Sequence, residues 1–407
     1  MEGFFSKEET VSSHVLERLT GCAACGLYRH CLSPKMEAMG EGKRGVLIIA
    51  EAPGETEDKL NKQLIGPTGQ FLRSKLWKNY GINLDRDCRK VNAINCRPPG
   101  NRTPSSEEIN HCRPRVWAEI ESFKPKLVIL LGGAAIESFL GNRWKGEEGL
   151  GGVNRWRGWT IPDRDVSAWV CPTFHPSYVQ RSIKMEQKVV DVIFDQDLEQ
   201  AFEKLKEPVP TFMREQSLVR REHNPRKIYE FLQSVLDWGQ AIAIDYETTG
   251  LKPQAVGHRI VTCSISTTGM DAFAFPLPNE GVVRKKLCDI MHSELIPKRA
   301  HNIKFEDTWT REILGTVTRN WDWDSMLAAH VLDNRSLSTG LKFQTYVQFG
   351  LIDYDSHVKG LLKAGKSEVG NGFNRIMEIP MDDLLTYNGL DSLFEFRLSE
   401  LQMRLIK

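Results

Sequence analysis

Compact apolar runs of strand length alternate with amphipathic stretches in the first half of the chain. The apolar runs are 45–50, 126–132 and 169–174. Between them, 69–81 and 105–123 place apolar residues at helical spacing. This alternation predicts an α/β domain with a mainly parallel sheet. Open α/β sheets bind ligands at the carboxyl ends of their strands, so the motifs that follow the runs (EAPG, LGG and HPS) are the expected site positions.

The second half of the chain has a different order of elements. After a polar helix predicted over about 185–206, residues 206–225 carry prolines and charges with little apolar periodicity, and we interpret them as a linker. From 226, a helix, the strand AIAIDYETTG and two further apolar strands precede helices that continue to the end. Strands followed by helices predict an α+β or mixed α/β domain. We therefore expect two domains, 1–205 and 226–407.

Length and composition are those of a globular protein. The 407 residues suit two domains of roughly 200 residues each, and 41% hydrophobic with 26% charged residues is ordinary for soluble proteins. No apolar run reaches the roughly 18 residues that a membrane span needs. The start of the chain has no signal-peptide pattern, so we expect a cytoplasmic protein without membrane association, in the host cytoplasm if a phage encodes it. The net charge of +1 neither supports nor excludes DNA as a ligand.

Cysteine is unusually frequent, with nine in the chain and six of them before residue 113. A reducing compartment disfavours disulfides, which leaves metal binding, catalysis or burial. Cys22 and Cys25 form a C-x-x-C pair, and Cys96 and Cys112 lie further along. Four such thiolates hold either zinc or a [4Fe–4S] cluster, and the residues alone favour zinc slightly.

Acidic residues in the second half indicate a metal site of another kind. Asp245 and Glu247 are two apart in a predicted strand, so their carboxylates point to one face. Tyr387 and Asp391 are four apart in a helical pattern and also share a face. A lone D-x-E is usually surface charge. However, phosphodiester cleavage by two metals needs carboxylates that hold cations about 3.5–4 Å apart, and Mg²⁺ and Mn²⁺ prefer oxygen ligands.

Together with AHNIKFED at 300–307, these segments resemble the 3′→5′ proofreading exonuclease domain of the DNA polymerase I family (DEDDy class). The resemblance covers about 226–407. It implies a ribonuclease H-like mixed α/β fold and two Mg²⁺ or Mn²⁺ ions, with a tyrosine that orients the attacking water. The positions that match the family's metal-binding carboxylates and its tyrosine are Asp245, Glu247, Asp391 and Tyr387.

Two features depart from that family. Its middle aspartate falls on Glu306, which keeps the carboxylate and adds a methylene, whereas Asp307 is turned about 100° away by one helical step. After Asp391 the sequence continues only to Lys407, so we expect a separately encoded DNA polymerase as partner. Asp324 we interpret as the capping residue of a helix.

The first half resembles the family 4 (iron–sulfur) uracil-DNA glycosylases over about 15–205. The segments that carry the resemblance are CAACGLYRHC, IIAEAPGETED, VNAINCRPPGNRTP and HPSYVQR. The resemblance implies a three-layer α/β/α fold and a [4Fe–4S] cluster. The matching cysteines are Cys22, Cys25, Cys96 and Cys112. Cys31, Cys88 and Cys171 match no ligand and are expected to be ordinary small apolar residues.

The same resemblance assigns the base pocket. An enzyme of this kind reads a base that has left the stack, and Asn92 matches the base-reading residue, since an amide offers both a donor and an acceptor. His175 matches the residue that supports charge on the leaving uracil, and Glu51 and Glu57 match acidic pocket positions that place water. Where the family stacks an aromatic ring on the base, this chain has Leu64, which has no π-face.

Two hypotheses follow for the whole chain. In the first, a metal-dependent 3′→5′ exonuclease is fused to a uracil-DNA glycosylase-like domain, and the protein processes single-stranded DNA or the 3′ end of a primer in replication or repair beside a separate polymerase. In the second, the glycosylase-like half is a module that only binds DNA or docks a polymerase. Leu64 favours the second hypothesis, whereas the retained Asn92, His175 and Glu51 favour the first.

Overall fold

The computed structural model of the protein describes residues 21–146, 148–363 and 372–406. These residues form two compact units. The first contains the described residues up to Thr211 together with Tyr346–Leu351. The second contains Phe212–Thr345 and the described residues from Ile352 onward. Over the described ranges, no helix combines the length and the apolar character that a membrane crossing requires.

The first unit is built on a five-stranded sheet in the order β2-β1-β3-β5-β4. All neighbouring pairs are parallel except β4 and β5, which are antiparallel. The apolar runs predicted as strands are β1, β3 and β5, so the prediction of a mainly parallel α/β sheet is confirmed. The strands are β1 (Val46–Ala50), β2 (Cys88–Asn92), β3 (Leu127–Leu131), β4 (Ile161–Asp163) and β5 (Ala168–Thr173).

Helices cover this sheet, and their ends carry the expected signals. The helices are α1 (Gly21–Cys25), α2 (Glu55–Leu60), α3 (Pro67–Tyr80), α4 (Ser106–Phe123), α5 (Gly133–Leu140), α6 (Val153–Trp156), α7 (Pro176–Lys184) and α8 (Lys188–Glu203). A capping box between Ser105 and Glu108 begins α4. The side chains of Val46 and Ile48 on β1 pack with the apolar face of α3 in the core. Every residue of β1 is buried, as in parallel sheets that are covered on both faces.

The second unit has a six-stranded sheet in the order β11-β10-β7-β8-β9-β6. The central β7 is antiparallel to β8 and parallel to β10. The strands are β6 (Val219–Arg221), β7 (Ile242–Thr248), β8 (Ile260–Ser266), β9 (Ala272–Pro276), β10 (Lys298–Ala300) and β11 (Trp321–Asp324). β6 pairs with β9 and lies inside the segment interpreted as a linker. β10 and β11 were not predicted, because they are short and carry charged residues in place of an apolar run.

The helices of the second unit include one that spans the sheet. They are α9 (Pro225–Trp238), α10 (Val282–His292), α11 (Ile303–Trp309), α12 (Ser325–Leu332), α14 (Ser356–Lys359) and α15 (Met381–Leu405), and α13 (Leu341–Phe349) begins in this unit and continues into the Tyr346–Leu351 segment of the first. A π-helical turn, Thr310–Leu314, extends α11. α15 packs along β7, β8 and β9 and is buried over most of its length, which brings its side chains to the strand that carries the first acidic motif. Short 3₁₀ turns are Leu27–Arg29, Pro99–Asn101, Lys204–Lys206, Glu215–Leu218 and Ile376–Glu378.

Candidate functional sites

Three carboxylates converge in the second unit, and we call them the acidic site: Asp245, Glu247 and Asp391. One oxygen of each lies within 4.8 Å of the others. On β7 the side chains alternate, so Tyr246 points the other way and bonds Thr310 Oγ1 at 3.1 Å in the core. Asp391, which lies on α15, completes the set. The structure therefore brings together residues that are separated by about 145 positions in the chain.

Burial and mutual repulsion dominate the electrostatics of the acidic site. Burial, and then the neighbouring Asp391, raise the pKa of Asp245 to about 8. Burial followed by Asp245 raises the pKa of Glu247 well above its ordinary range. Close carboxylates resist ionisation together because each charge destabilises the other. A set of oxygen donors in this condition fits a divalent cation such as Mg²⁺ or Mn²⁺, which relieves the repulsion.

Glu306 adds a fourth carboxylate from α11. It is 3% exposed, and its Oε2 has no hydrogen-bond partner among the described residues. Burial, and then Asp245, raise its pKa. Asp307 points elsewhere, since its Oδ2 accepts from Arg311 Nε at 2.6 Å and its Oδ1 from Trp321 Nε1 at 3.2 Å. An unpartnered buried oxygen near Asp245 fits a metal ligand, whereas Asp307 is already satisfied.

Sequence reasoning missed three partners of the acidic site. Asn388 Nδ2 donates to Asp245 Oδ2 at 2.6 Å. Tyr354 OH donates to Asp391 Oδ1 at 2.6 Å, and the Lys342 ammonium contacts the same oxygen. Lys342 also donates to Tyr354 OH at 2.9 Å. Asn388 could have been noticed in the sequence, because it is a polar residue directly after Tyr387 on the predicted helix. Lys342 and Tyr354 belong to no recognisable motif.

Tyr387 lies beside the carboxylates, and the Lys342 ammonium group lies over its ring. Lys342 Nζ is 4.2 Å from the centre of the Tyr387 ring and 4.1 Å from that of Tyr354, a distance at which the ring face attracts an ammonium group. Burial, and then Asp391 and Glu247, raise the pKa of Tyr387 well above its ordinary range. Its phenol therefore stays protonated and can donate a hydrogen bond at neutral pH.

Asp324 is the capping residue that the sequence predicts, and it caps more than one helix. Its Oδ1 accepts from Met326 N at 3.0 Å and from Leu327 N at 3.1 Å at the start of α12. Its Oδ2 accepts from Ile303 N at 3.0 Å at the start of α11. Because α11 carries Glu306, Asp324 helps to orient that carboxylate without belonging to the acidic site itself.

The first unit presents polar residues where its parallel strands end, and we call these the strand-end site: Glu51, Asn92 and His175. Glu51 follows β1, Asn92 ends β2, and His175 follows β5. β3, which lies between β1 and β5 in the sheet, is followed by Gly132 with φ 85°, and a Cβ there would come within 2.8 Å of His175 Cβ. Glycine at 132 therefore permits the close approach of His175, which the LGG motif alone did not reveal.

Burial shifts the pKa values of His175 and Glu51, each toward its uncharged form. Burial, and then Arg181, lower the pKa of His175 to about 4, so its ring is neutral near pH 7. Its Nδ1 lies 2.7 Å from Ser177 Oγ and 3.3 Å from Ser177 N, and when Nδ1 accepts from this backbone N–H the neutral ring carries its proton on Nε2. Burial raises the pKa of Glu51, and Arg181 opposes the rise.

Asn92 has a partner that sequence reasoning missed. Its Nδ2 donates to Gln63 Oε1, and Gln63 Nε2 in turn donates to Glu37 O at 3.1 Å. Asn92 and Gln63 are 2% and 1% exposed. The orientation of the Asn92 amide therefore depends on Gln63, which is itself held by the backbone at Glu37.

The loop that carries Leu64 is tied to Glu57. Glu57 Oε1 accepts from Ile65 N at 3.1 Å and from Gly66 N at 2.7 Å. Leu64 has φ 51°, a left-handed conformation that L-residues seldom adopt, and it is 7% exposed. Glu57 thus positions the backbone around Leu64, and Leu64 packs in the core of the first unit.

The four candidate cysteine ligands line one cavity, together with Leu27, Tyr28 and Arg115 among others. Cys96 Sγ accepts from Lys35 N at 3.2 Å and Cys112 Sγ from Asn95 N at 3.4 Å. Burial raises the pKa of Cys112 to about 12 and that of Cys96 to about 11. Four thiols around one apolar cavity, with backbone donors aimed at sulfur, fit a site for a metal or an iron–sulfur cluster.

The remaining cysteines of the first unit lie in two settings. Cys88 and Cys171 are buried in the strand core, as the sequence predicts for packing residues. Cys31 lies beside the cysteine cavity, where it packs against the cluster of residues that contains Cys96. No sequence motif distinguished it from the other two.

Comparison with known proteins agrees with both halves of the structure. Residues 39–206 match the model of the uracil DNA glycosylase superfamily, and residues 218–401 match that of a 3′-5′ exonuclease. A type-4 uracil-DNA glycosylase of Thermotoga maritima is 32% identical over 200 residues, covering 48% of this chain and 95% of that protein. Through its N-terminal half, the chain belongs to the type-4 uracil-DNA glycosylase family.

Two further proteins resemble other parts of the chain. A DNA polymerase of Bacillus phage SP01 is 25% identical over 409 aligned positions, which cover 92% of this chain and 42% of the polymerase. The structure of Trypanosoma brucei RNase D in complex with GMP covers 46% of this chain and 57% of its own, with 21% identity and a TM-score of 0.36. The family matches confirm the two resemblances inferred from the sequence. The protein is a DNA-binding enzyme of repair or replication that carries a 3′→5′ exonuclease domain.

Proposed function

We propose that the second unit removes nucleotides from DNA 3′ ends with two Mg²⁺ or Mn²⁺ ions held by Asp245, Glu247, Glu306 and Asp391. The observation that carries this proposal is the convergence of three carboxylates within 4.8 Å. The buried, unpartnered Glu306 oxygen supports it. When bound, the ions supply an activated water and stabilise the leaving oxygen.

The chain's own residues prepare that reaction. Asn388 and Tyr354 fix the carboxylates of Asp245 and Asp391 through hydrogen bonds of 2.6 Å. The protonated Tyr387 orients the attacking water. Lys342 supplies a positive charge next to Asp391, which offsets part of the repulsion among the carboxylates and favours the approach of a phosphodiester.

For the first unit we propose weak excision of uracil from single-stranded DNA. Asn92 would read the edge of the base, neutral His175 would donate from Nε2 to the uracil anion, and Glu51 would place water. Groups aimed at developing charge usually supply the largest share of catalysis. The second candidate is a module that only binds DNA or docks a polymerase, and the observation that favours it is Leu64, which offers no ring for stacking.

We further propose a [4Fe–4S] cluster on Cys22, Cys25, Cys96 and Cys112, in preference to zinc. The support is membership in the type-4 family together with the shared cavity. We also propose that the protein works in the cytoplasm, on single-stranded DNA or on the 3′ end of a primer. A separately encoded DNA polymerase is the proposed partner, and the alignment of 92% of this chain with part of a phage DNA polymerase associates the two domains with DNA synthesis.

One assay tests both activities. End-labelled single-stranded DNA, with and without a single uracil, is incubated with the protein in Mg²⁺ or in EDTA. We expect 3′ shortening of both strands in Mg²⁺ only, and alkali-labile sites on the uracil strand in EDTA. No shortening with any divalent metal would contradict the exonuclease. No alkali-labile sites would favour the binding-module alternative.

A further inference from the structure

An open cavity on the second unit begins where β7 ends and has a volume of about 530 Å³. Thr249, two residues after Glu247, is part of its wall. Thr249 N donates to Arg259 O at 3.1 Å and Arg259 N donates to Thr249 Oγ1 at 2.9 Å. At roughly 3.3 Å per extended residue, Thr249 is about 7 Å along the chain from Glu247. The other residues that line the cavity are Gly257, His258, Arg259, Asn279, Arg284, Ile313, Phe373 and Met377.

The lining of this cavity is positive and contains no carboxylate. Arg259 Nη2 contacts Met377 Sδ at 3.2 Å, a weak acceptor, and Arg284 contacts the carbonyl of Ile313. Neither guanidinium forms an ion pair with a carboxylate of the described ranges. Most other buried or half-buried arginines of the unit have acidic partners, as Arg299 does with Glu400 at 2.6 Å. Two uncompensated guanidinium groups in one cavity attract an anionic ligand.

An aromatic platform completes the cavity. The rings of His258 and Phe373 stack with centroids 4.3 Å apart at 20°. His258 is anchored from behind, with Nδ1 3.1 Å from Thr249 Oγ1, and is 6% exposed. Phe373 remains 51% exposed. A supported ring with a free face is a surface on which a nucleobase stacks, whatever the base.

We propose that this cavity binds the single-stranded DNA that precedes the scissile bond, with Arg259 and Arg284 on its phosphates and Phe373 stacked on a base. The combination of guanidinium groups and an exposed ring matches the alternating phosphates and bases of a single strand. The position beside Glu247 matches a strand whose 3′ terminus lies at the acidic site. This proposal rests on the proposed exonuclease function, and it adds the path of the substrate.

The arginines are tested by binding in EDTA, where no cleavage occurs. Fluorescein-labelled dT10 and dT3 are titrated with the full-length protein by anisotropy at several NaCl concentrations. Removing two phosphate contacts with Arg259→Gln and Arg284→Gln should lower the slope of log affinity against log salt by about 1.4 for dT10, and change dT3 little. The matched control, Arg226→Gln with Lys227→Gln on the exposed start of α9, should change neither. An unchanged dT10 slope in the cavity variant, or equal losses for dT3 and dT10, would overturn the proposal.

The ring is tested by photo-crosslinking with the same full-length protein. Oligonucleotides carry 5-iododeoxyuridine at one of the four positions before the 3′ end and are irradiated in EDTA. We expect a crosslinked peptide that contains Phe373 from at least one position, and its loss in Phe373→Leu. Crosslinks within the second unit that never include Phe373 would refute this placement of the strand. Digestion in Mg²⁺ is measured separately and tests the exonuclease activity. A failure of the proposed strand path can therefore be distinguished from a failure of the proposed exonuclease.

Discussion

The strand-end site and the acidic site are both built on strands of a sheet, but their buried polar groups are satisfied in different ways. In the strand-end site, Asn92 is bonded to Gln63 and His175 to Ser177. In the acidic site, Glu247 and Asp245 face Asp391, and burial with mutual repulsion raises the pKa of the first two. The first site holds Asn92 and His175 in hydrogen bonds within the protein, and the second crowds carboxylates that resist ionisation together.

The two sites therefore differ in what they need from solution before they can act. A pocket that reads an uncharged base needs fixed donors and acceptors, and protein partners fix them before the ligand arrives. A site for phosphodiester hydrolysis must bring several carboxylates together, and the cations that make the arrangement stable are also the catalysts. We therefore expect the first unit to work in EDTA and the second to depend on added metal.

The largest effect should come from removing the acidic site. Asp245→Ala with Glu247→Ala should reduce 3′ shortening by about 10³-fold or more, because metal ions contribute several kcal/mol and each 1.4 kcal/mol is tenfold in rate. In EDTA the variant should melt at or above the temperature of the parent, since two repelling carboxylates are gone. Gel assays with labelled DNA and calorimetry measure both. Asp289→Ala with Glu294→Ala, two exposed acids of the same unit, is the control. A double variant that digests DNA at the parent rate would show that the site is elsewhere.

The cysteine cavity gives the second largest effect. Protein purified without oxygen should contain roughly four iron atoms per chain, and Cys96→Ala should lose them and lower the melting temperature of the first unit. Cys88→Ala is the matched control, because Cys88 is packed in the strand core and should keep the iron. Iron analysis and visible absorption are the measurements. About one zinc per chain without iron would contradict the cluster.

Asn92→Ala should reduce uracil excision by about 10- to 100-fold or more, since a buried partner lost by the base edge costs about 1–3 kcal/mol. The excision assay is run in EDTA, which keeps the exonuclease silent. Asn79→Ala, on the exposed end of α3, serves as the control and should excise as the parent does. Equal excision by Asn92→Ala and the parent would show that Asn92 does not bind the base.

The pH dependence should separate the two sites. With the pKa of Asp245 raised to about 8, protons compete with metal, so apparent Mn²⁺ affinity should rise by up to about tenfold per pH unit toward pH 8 and then level off. The unfolded chain releases this proton near pH 4, so metal-free stability should fall as pH rises from about 4 to 8. His175, with a pKa of about 4, should remain neutral between pH 6 and pH 8, where the metal affinity changes. Calorimetric titration measures the affinity, and an affinity that does not change between pH 6 and pH 8 would contradict the shift.

The smallest effect concerns the base platform. Leu64→Phe should raise excision of uracil by about tenfold for each 1.4 kcal/mol of stacking recovered, with little change in exonuclease rate. Leu64→Met is the control, because it changes the side chain at nearly constant volume and adds no aromatic ring. If neither the parent nor Leu64→Phe forms alkali-labile sites, the first unit is better described as a DNA-binding or docking module.

Local patterns were sufficient for much of this protein. The strands β1, β3, β5, β7, β8 and β9 are apolar runs bounded by turn residues, and their periodicity made them visible. The spacing of Asp245 with Glu247, and of Tyr387 with Asp391, follows directly from strand and helix geometry. Asp324 was recognisable as a cap for the same reason, because capping is decided within a few residues.

Other features were decided only by the tertiary structure. β10 and β11 are strands because neighbouring strands offer hydrogen-bonding edges to them, although both are short and contain charged residues. Lys342, Tyr354 and Gln63 carry no motif, and they matter through partners 49, 37 and 29 positions away. Such contacts depend on how elements pack around a core, and packing depends on the whole fold. The sequence determined which groups could do the chemistry, whereas the tertiary structure decided which neighbours surround them and therefore the charge each one carries.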